Sequence, residues 1–502
     1  MAVNTERIAR NTLVLYLRML LVLLVKLYSS RILLIALGVE DFGIFNVVSG
    51  IILLLSFLKW VLRGADQRYL NMEMGLGNET GMHRVFSASV KFHFLVCIGI
   101  LILAETLGLW FLNARMNIPV DRMPAANWVY QLSVIAFLFD FFTTPHEAAV
   151  IAHEKMGTFS LVDILGTLLS LGVVVLLMHV KADRLIVYAC LFFSINFLLR
   201  FIYVGYCGRH FAECRGGLKL PDPEMVRELA GFTFWTIPGH LGYSLHTKGI
   251  PVLVNLSFGV LVNAALGITF QVYGVVRAVA ESFLTALKPQ IVTCYAEGDR
   301  ETLFRLVSRG CRAAFCLTLV IVVPLVLETP AILDLWLETV PEYTVLFVRI
   351  ILLTLLIDSY SILMETTNAA TGDLKPYGLS ILIISILHLA LAHWLFVRGY
   401  GPAWALYSYM IAIAVEQTTR TLLVCRSIGM PVSRFLREVF GRAFLAGVPA
   451  FLLAGSVQHW TGSTLWTLAA GVAGSACCSF FLAFNPSERE GLLRVVKKLL
   501  PR

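Results

Sequence analysis

No polar stretch in this chain is long enough to fold as a soluble domain. The longest pieces between its apolar runs are 66–86, 208–231, 288–309 and 425–439. Charged residues make up only 14% of the 502, against about a quarter in soluble proteins. There is no Gly-Lys-Ser/Thr phosphate loop, so the chain is not its own ATPase. Cys-x-x-Cys and Cys/His ligand spacings are also missing, which argues against a metal site. The ten cysteines read as small buried apolar residues without disulfides. With no catalytic constellation, the sequence predicts neither an enzyme nor a cofactor. The most informative absence is of acids. No Asp or Glu lies between Glu6 and Glu40, or between Asp41 and Asp66, yet these stretches carry Arg18, Lys26, Arg31, Lys59 and Arg63.

What is present reads as membrane. Hydrophobic residues make up 58% of the chain, and runs of about 20 recur along it, the length of a spanning helix. Fourteen can be drawn: 13–36, 43–65, 87–112, 127–151, 158–180, 185–207, 232–256, 264–287, 310–332, 344–369, 376–397, 402–424, 440–459 and 463–484. The predicted fold is therefore an all-α polytopic membrane protein with about 14 transmembrane helices. The first run holds Arg18 and Lys26 and has no small-residue cleavage site, so it reads as an uncleaved span.

The net charge of +8 follows topology and not a nucleic-acid partner. With the N-terminus inside, the alternate loops and tails on that side carry 22 Lys and Arg residues and the opposite side five. This asymmetry puts both termini in the cytoplasm. The tail 485–502 reads as an amphipathic helix on anionic lipid.

Within the spans, a Lys or Arg at the bilayer centre costs roughly 2.5–3.5 kcal/mol, so such residues face a bundle interior or a wet cavity. Lys26 falls close to the midplane, with Arg18 and Arg31 to either side, and Lys59 is moderately deep. Arg63 lies near an interface, where snorkelling to the headgroups competes with a cavity role. Lys248 and Arg277 are the corresponding deep cations of the second half. Arg277 has Glu281 one turn away, so an i,i+4 ion pair is an equal reading. Cations with no acid beside them suggest that the negative charge arrives with the cargo.

Carboxylates recur in pairs. Asp140 and Glu147, and again Asp358 and Glu365, are seven residues apart and share a helix face. They balance the cations or carry a coupling proton; Asp140, Glu281, Asp358 and Glu365 are the candidates for ion coupling. Glu416 and Arg420 read as a structural pair. The scattered His93, His146, His240 and His246 read as helix–helix hydrogen bonders before proton relays.

An internal repeat appears at an offset of 221. Gly38, Ala65, Gly77, Arg84, Ser87, Ala148, Ala149 and Gly157 land on Gly259, Ala286, Gly298, Arg305, Ser308, Ala369, Ala370 and Gly378. Six spans per half is even, so both halves enter the membrane in the same sense, a parallel repeat. The expected domains are an N-lobe (1–207), a cytoplasmic linker (208–231), a C-lobe (232–424), an appendage of spans 13 and 14 (425–484) and the tail. The two six-helix lobes would face each other across a cavity. The span 232–256, with Gly239, Gly242, Gly249, Pro238 and Pro251, is the candidate bending helix.

The segment Tyr28-Ser29-Ser30-Arg31 through Leu37-Gly38-Val39-Glu40-Asp41-Phe42-Gly43, with Gln67-Arg68-Tyr69-Leu70 after it, resembles the start of Wzx-type polysaccharide flippases. These belong to the multidrug/oligosaccharidyl-lipid/polysaccharide (MOP) exporter superfamily. The resemblance implies a two-lobed flippase of the bacterial inner membrane. Such a flippase moves undecaprenyl-diphosphate-linked oligosaccharide, an O-antigen or exopolysaccharide unit, to the periplasmic leaflet. It also implies that Arg18, Lys26, Arg31, Lys59, Lys248 and Arg277 receive the anionic cargo. Membrane lipids and polysaccharide polymerase or assembly proteins are the partners it suggests, and nucleic acid is not among them. Fourteen spans are similar to the lipid-linked peptidoglycan-precursor flippases. A multidrug exporter of the same superfamily, a lipid II flippase and a non-transporting scaffold are the competing readings.

Overall fold

The computed structural model describes residues 5–153, 155–215, 223–285, 287–486 and 488–490, without the side chains of 5–20, 232, 235, 285 and 289. Among these residues every regular element is helical, as the apolar runs predict. Among the described residues eleven helices are long and apolar enough to span a bilayer, against the fourteen spans expected. The runs 43–65, 232–256 and 402–424 are the three that drop out. The first is cut at Leu53, and its second part carries Lys59 and Arg63. The second is divided by a π turn, and the third holds Glu416 and Arg420. Large apolar side chains such as Leu95, Phe444, Trp460 and Trp466 lie exposed on the long helices, as lipid-facing surfaces require. The chain is a multi-pass membrane protein.

By internal contacts the chain divides into two compact units, Met1–Gly267 with Ile381–Pro402, and Ile268–Ser380 with Ala403–Arg502. The first unit contains α1 (Thr5–Leu53), α2 (Ser56–Gly75), α3 (Glu79–Leu103), α4 (Leu109–Arg115), α5 (Met123–Phe142), α6 (Thr144–Ala152), α7 (Met156–Leu177), α8 (Arg184–His210), α9 (Pro223–Ser244) and α10 (Ile250–Phe258). Helix α1 runs through the first expected span and into the second as far as Leu53, and changes direction at Gly38 (φ 75°, ψ 173°). The core of this unit joins Ile44, Val48, Leu62, Tyr130, Val134, Phe141 and Leu185. Between α3 and α4 the helix widens into a π turn, Ala104–Gly108, and the Tyr130 hydroxyl donates 2.8 Å to the Ala104 carbonyl there.

The second unit holds α12 (Lys288–Ala296), α13 (Arg300–Leu327), α14 (Thr329–Trp336), α15 (Thr344–Asp358), α16 (Ser361–Thr371), α18 (Trp404–Ile428), α19 (Val432–Phe435), α20 (Arg442–Thr461) and α21 (Thr464–Cys478). Helices α11 (Val260–Thr285) and α17 (Leu374–Val397) each cross the division. Small residues let α13, α20 and α21 pack closely, a common device where lipid replaces water. Ala446, Ala450 and Ala454, one turn apart on α20, are fully buried against Leu319 and Val323. A Cβ on Gly471 would come within 2.9 Å of Pro324.

Several features recur at the offset of 221 read from the sequence. Gly259 (φ 83°, ψ −171°) repeats the Gly38 conformation, which only glycine adopts without strain. Gly77 and Gly298 both have positive φ. The following residues, Asn78 and Asp299, both cap a helix by accepting the backbone N–H three residues on, at 3.0 Å.

Candidate functional site

The first unit gathers five charges from four helices. Helix α2 supplies Lys59 and Arg63, one turn apart, and α8 supplies Arg200. Asp140 ends α5, and Glu147 lies beyond the Thr143-Thr144-Pro145 break, which starts α6 with a proline in its first turn. The break keeps both carboxylates on one side. Lys59 Nζ lies 2.8 Å from Asp140 Oδ2 and 3.1 Å from Glu147 Oε2. Arg63 donates 2.7 Å to Glu147 Oε1 and stacks over Trp60. Arg200 Nε is 2.7 Å from Asp140 Oδ1, and its Nη1 donates 3.4 Å to Glu147 Oε2.

This differs from the expected row of lone cations. Lys59 is held by two acids that arrive from 81 and 88 residues along the chain, and Arg63 is a network member instead of a headgroup anchor. The pairing is incomplete in charge. Three cations face two carboxylates, so the cluster carries one positive charge in excess. The side chains of Lys59, Arg63 and Arg200 keep 16–18% exposure and Glu147 only 7%.

The second unit builds the counterpart with the opposite sign. Arg277 pairs with Asp358, donates 2.8 Å to Glu281 Oε1 and bonds the Tyr273 hydroxyl at 2.8 Å. The Gln417 amide donates 2.7 Å to Asp358 Oδ1. Lys59–Asp140 and Arg277–Asp358 both join residues 81 apart in the chain. Arg200 and Gln417 supply the third helix in each case. Glu281 stands where Arg63 stands in the first unit, so here two carboxylates face one cation.

The remaining candidates are dispersed. Arg18 lies outside the described residues. Lys26 is exposed, and it makes no hydrogen bond or ion pair among the described residues. Arg31 is half-buried. Lys248 is half-buried in the π turn Leu245–Gly249, again without hydrogen bond or ion pair among the described residues. Glu365 is exposed on α16 within electrostatic reach of Arg420, which pairs with Glu416 as the spacing predicts. His246 meets His388 with Nδ1 atoms 3.2 Å apart, a helix–helix hydrogen bond.

Sequence reasoning missed three charges that organise the units. Arg200 is a cation inside an apolar run, so the rule that picked out Lys26 applied to it too. Arg122 ties Asp41 (2.5 Å) to Asp183 (2.7 Å). Arg312 is 2% exposed and grips Glu488 at 2.5 and 2.6 Å. Arg312 also falls inside an apolar run, 310–332, whereas Arg122 gave no local signal, because its partners are distant in sequence.

No family model and no curated protein matches the sequence. Solved structures do match. "Lipid II flippase MurJ, inward closed conformation" superposes with a TM-score of 0.66 at 12% identity, over 97% of this chain and 100% of that one. An inward-facing multidrug resistance MATE family transporter of the MOP superfamily gives 0.61 at 14% identity, over 81% and 94%. The fold is that of the MOP superfamily transporters. A MOP superfamily transporter from Pyrococcus furiosus, whose binding pocket is described as reversed in polarity, gives 0.59 at 12% identity over 85% and 96%.

Proposed function

We propose that this protein is a flippase for an anionic, lipid-linked glycan. Its cargo would be an undecaprenyl-diphosphate oligosaccharide, passed from the cytoplasmic to the periplasmic leaflet of a bacterial inner membrane. The observation that carries this reading is the excess of positive charge in the first unit. Three cations share two acids there, and Lys26 has no acidic partner among the described residues. A diphosphate leaving water needs charge-assisted donors, and Arg and Lys supply them. The lipid tail stays in the bilayer, so only the headgroup needs a polar route. Full-length likeness in fold to a lipid II flippase supports a carrier of this class. No nucleotide loop is present, so net transfer would draw on an ion gradient or on consumption of the product.

Charge reversal tests the reading. Lys26→Glu should insert and fold as wild type while lipid-linked glycan accumulates on the inner leaflet. Wild-type export in that variant contradicts the proposal and favours a scaffold, which keeps working. Export of organic cations by the wild type would instead favour a multidrug carrier.

A further inference from the structure

We propose that Asp66 of α2 and His93 of α3 form a proton-binding site that holds a single shared proton between Oδ2 and Nε2. The two side chains are 1% and 0% exposed, and Nε2 lies 3.5 Å from Oδ2. His93 Nδ1 is 2.8 Å from the Ser89 carbonyl oxygen. A carbonyl only accepts, so Nδ1 carries a hydrogen. In a neutral ring Nε2 is then a bare lone pair aimed at the carboxylate. Two acceptors facing each other at a site closed to bulk solvent are an unfavourable arrangement. One proton resolves it, on either atom: the Asp66 O–H donates to Nε2, or Nε2–H donates to the carboxylate. Either form is neutral as a pair. Removing that proton leaves a buried negative charge, and adding a second leaves a buried positive one. At 3.5 Å the contact is looser than a hydrogen bond and neither atom has another hydrogen-bond partner among the described residues, so the pair has room to close on its proton.

The surroundings set this pair apart from the other acids. Asp140 and Asp358 face permanent cations, whereas among the described residues the only ion-pair partner of Asp66 is His93. From α3, Ser89 stands beside Asp66. From α5 the Phe141 ring covers His93 at 5.1 Å, and from α6 His146 lies within electrostatic reach of it. Asp140 and Glu147 on those two helices are committed to Lys59, Arg63 and Arg200. From α9, Leu229 packs beside Ala65 and Ala88, with Glu224, Arg227 and Glu228 exposed. From the turn Ala212–Cys214, Glu213 is taken by His153 at 2.6 Å. On the two helices themselves Arg68 and Arg84 are exposed, and Glu73, His83 and Lys91 are half-buried.

The internal repeat supplies a control. At the offset of 221 the positions equivalent to Asp66 and His93 in the second unit are Leu287 and Ala314, and at the offset of 218 that relates Lys59 and Asp140 to Arg277 and Asp358 they are Leu284 and Cys311; Ala314, Leu284 and Cys311 are fully buried. One unit therefore fills with apolar groups what the other fills with a titratable pair. A buried polar pair is often no more stable than an apolar replacement of similar size. Its retention fits a role in binding and releasing a proton, whatever the cargo.

The test uses the purified full-length protein. Between pH 7 and 9 an unfolded His, with pKa near 6.5, and an unfolded Asp carry no extra proton. The folded dyad carries one, so stability falls as pH rises. Linkage then gives a tenfold rise in the unfolding equilibrium constant per pH unit. The double variant Asp66→Leu with His93→Ala should fold, and relative to it wild type should lose this factor of about ten per unit. Parallel curves over that range overturn the proposal. Should the double variant fail to insert, wild type decides alone. At pH 8 it must show either a protonated-carboxyl band in infrared spectra or a histidinium signal after selective ¹⁵N-histidine labelling. Asp66→Asn identifies the source of that signal. Neither signal in wild type also overturns the proposal.

Discussion

Glu147→Gln is the sharpest perturbation of the charge cluster. The carboxylate is 7% exposed in its side chain, and its oxygens lie 3.1 Å from Lys59, 2.7 Å from Arg63 and 3.4 Å from Arg200. Replacing it by a neutral amide raises the cluster from one excess positive charge to two. Removing one member of a buried ion pair destabilises by about 3–5 kcal/mol. The three cations keep partial access to solvent, so we place the loss at the lower end, about 3 kcal/mol. Adding Lys59→Met restores the original charge balance, because Arg63 and Arg200 then face Asp140 alone. The double variant should recover about 1–2 kcal/mol, a coupling typical of charges in one network. Tryptophan-fluorescence unfolding of detergent-purified protein measures both. A Glu147→Gln variant within about 0.5 kcal/mol of wild type, or a double variant no more stable than the single, would refute the reasoning.

Other consequences follow from particular contacts. A methyl group on Gly43 would collide with the Val260 carbonyl, so Gly43→Ala should lower the unfolding temperature sharply, by overpacking of about 1–3 kcal/mol. Gly259→Ala forces a side chain into positive φ and should cost about 1–2 kcal/mol, with Gly64→Ala, in open space, as the mild control. Arg122→Met should cost about 1 kcal/mol at neutral pH, because it releases Asp41 and Asp183 at partly exposed sites. Arg122, by hydrogen bonding, holds the Asp183 carboxyl below its ordinary range. Its contribution is therefore complete above the usual carboxylate pKa of about 3.9 and is lost as pH falls through the lower folded value. Unfolding midpoints for wild type and Arg122→Met should converge in acid and stay apart at pH 7.

The all-helical membrane fold and the local pairs were legible because each depends on neighbours along one helix. Arg277 with Glu281, and Arg420 with Glu416, follow from one-turn spacing. Asp140 and Glu147 fall on two helices, α5 and α6, on either side of the Thr143-Thr144-Pro145 break, and it is the break as well as their spacing that lets both reach Lys59. What spacing along one helix could not supply was the register between helices. Whether Lys59 meets lipid, water or Asp140 depends on how α2 lies against α5 and α6. The Asp66–His93 contact depends on α2 against α3 in the same way. Arg200 is a different case. It sits in an apolar run just as Lys26 and Lys59 do, so the cost of a cation at that depth marks it from sequence alone. The span count fell from fourteen to eleven where polar residues or breaks interrupt the apolar runs.

The central claim is that a positive excess in the first unit receives a lipid diphosphate. Its most direct measurement is thermal stabilisation of the purified protein by undecaprenyl diphosphate, set against undecaprenol with the same tail. At a hundred times its dissociation constant a specific ligand adds about 2.7 kcal/mol. The diphosphate should give such a rise, Lys26→Glu should lose it, and the alcohol should give none. Equal effects of diphosphate and alcohol, or an undiminished rise in Lys26→Glu, would contradict it.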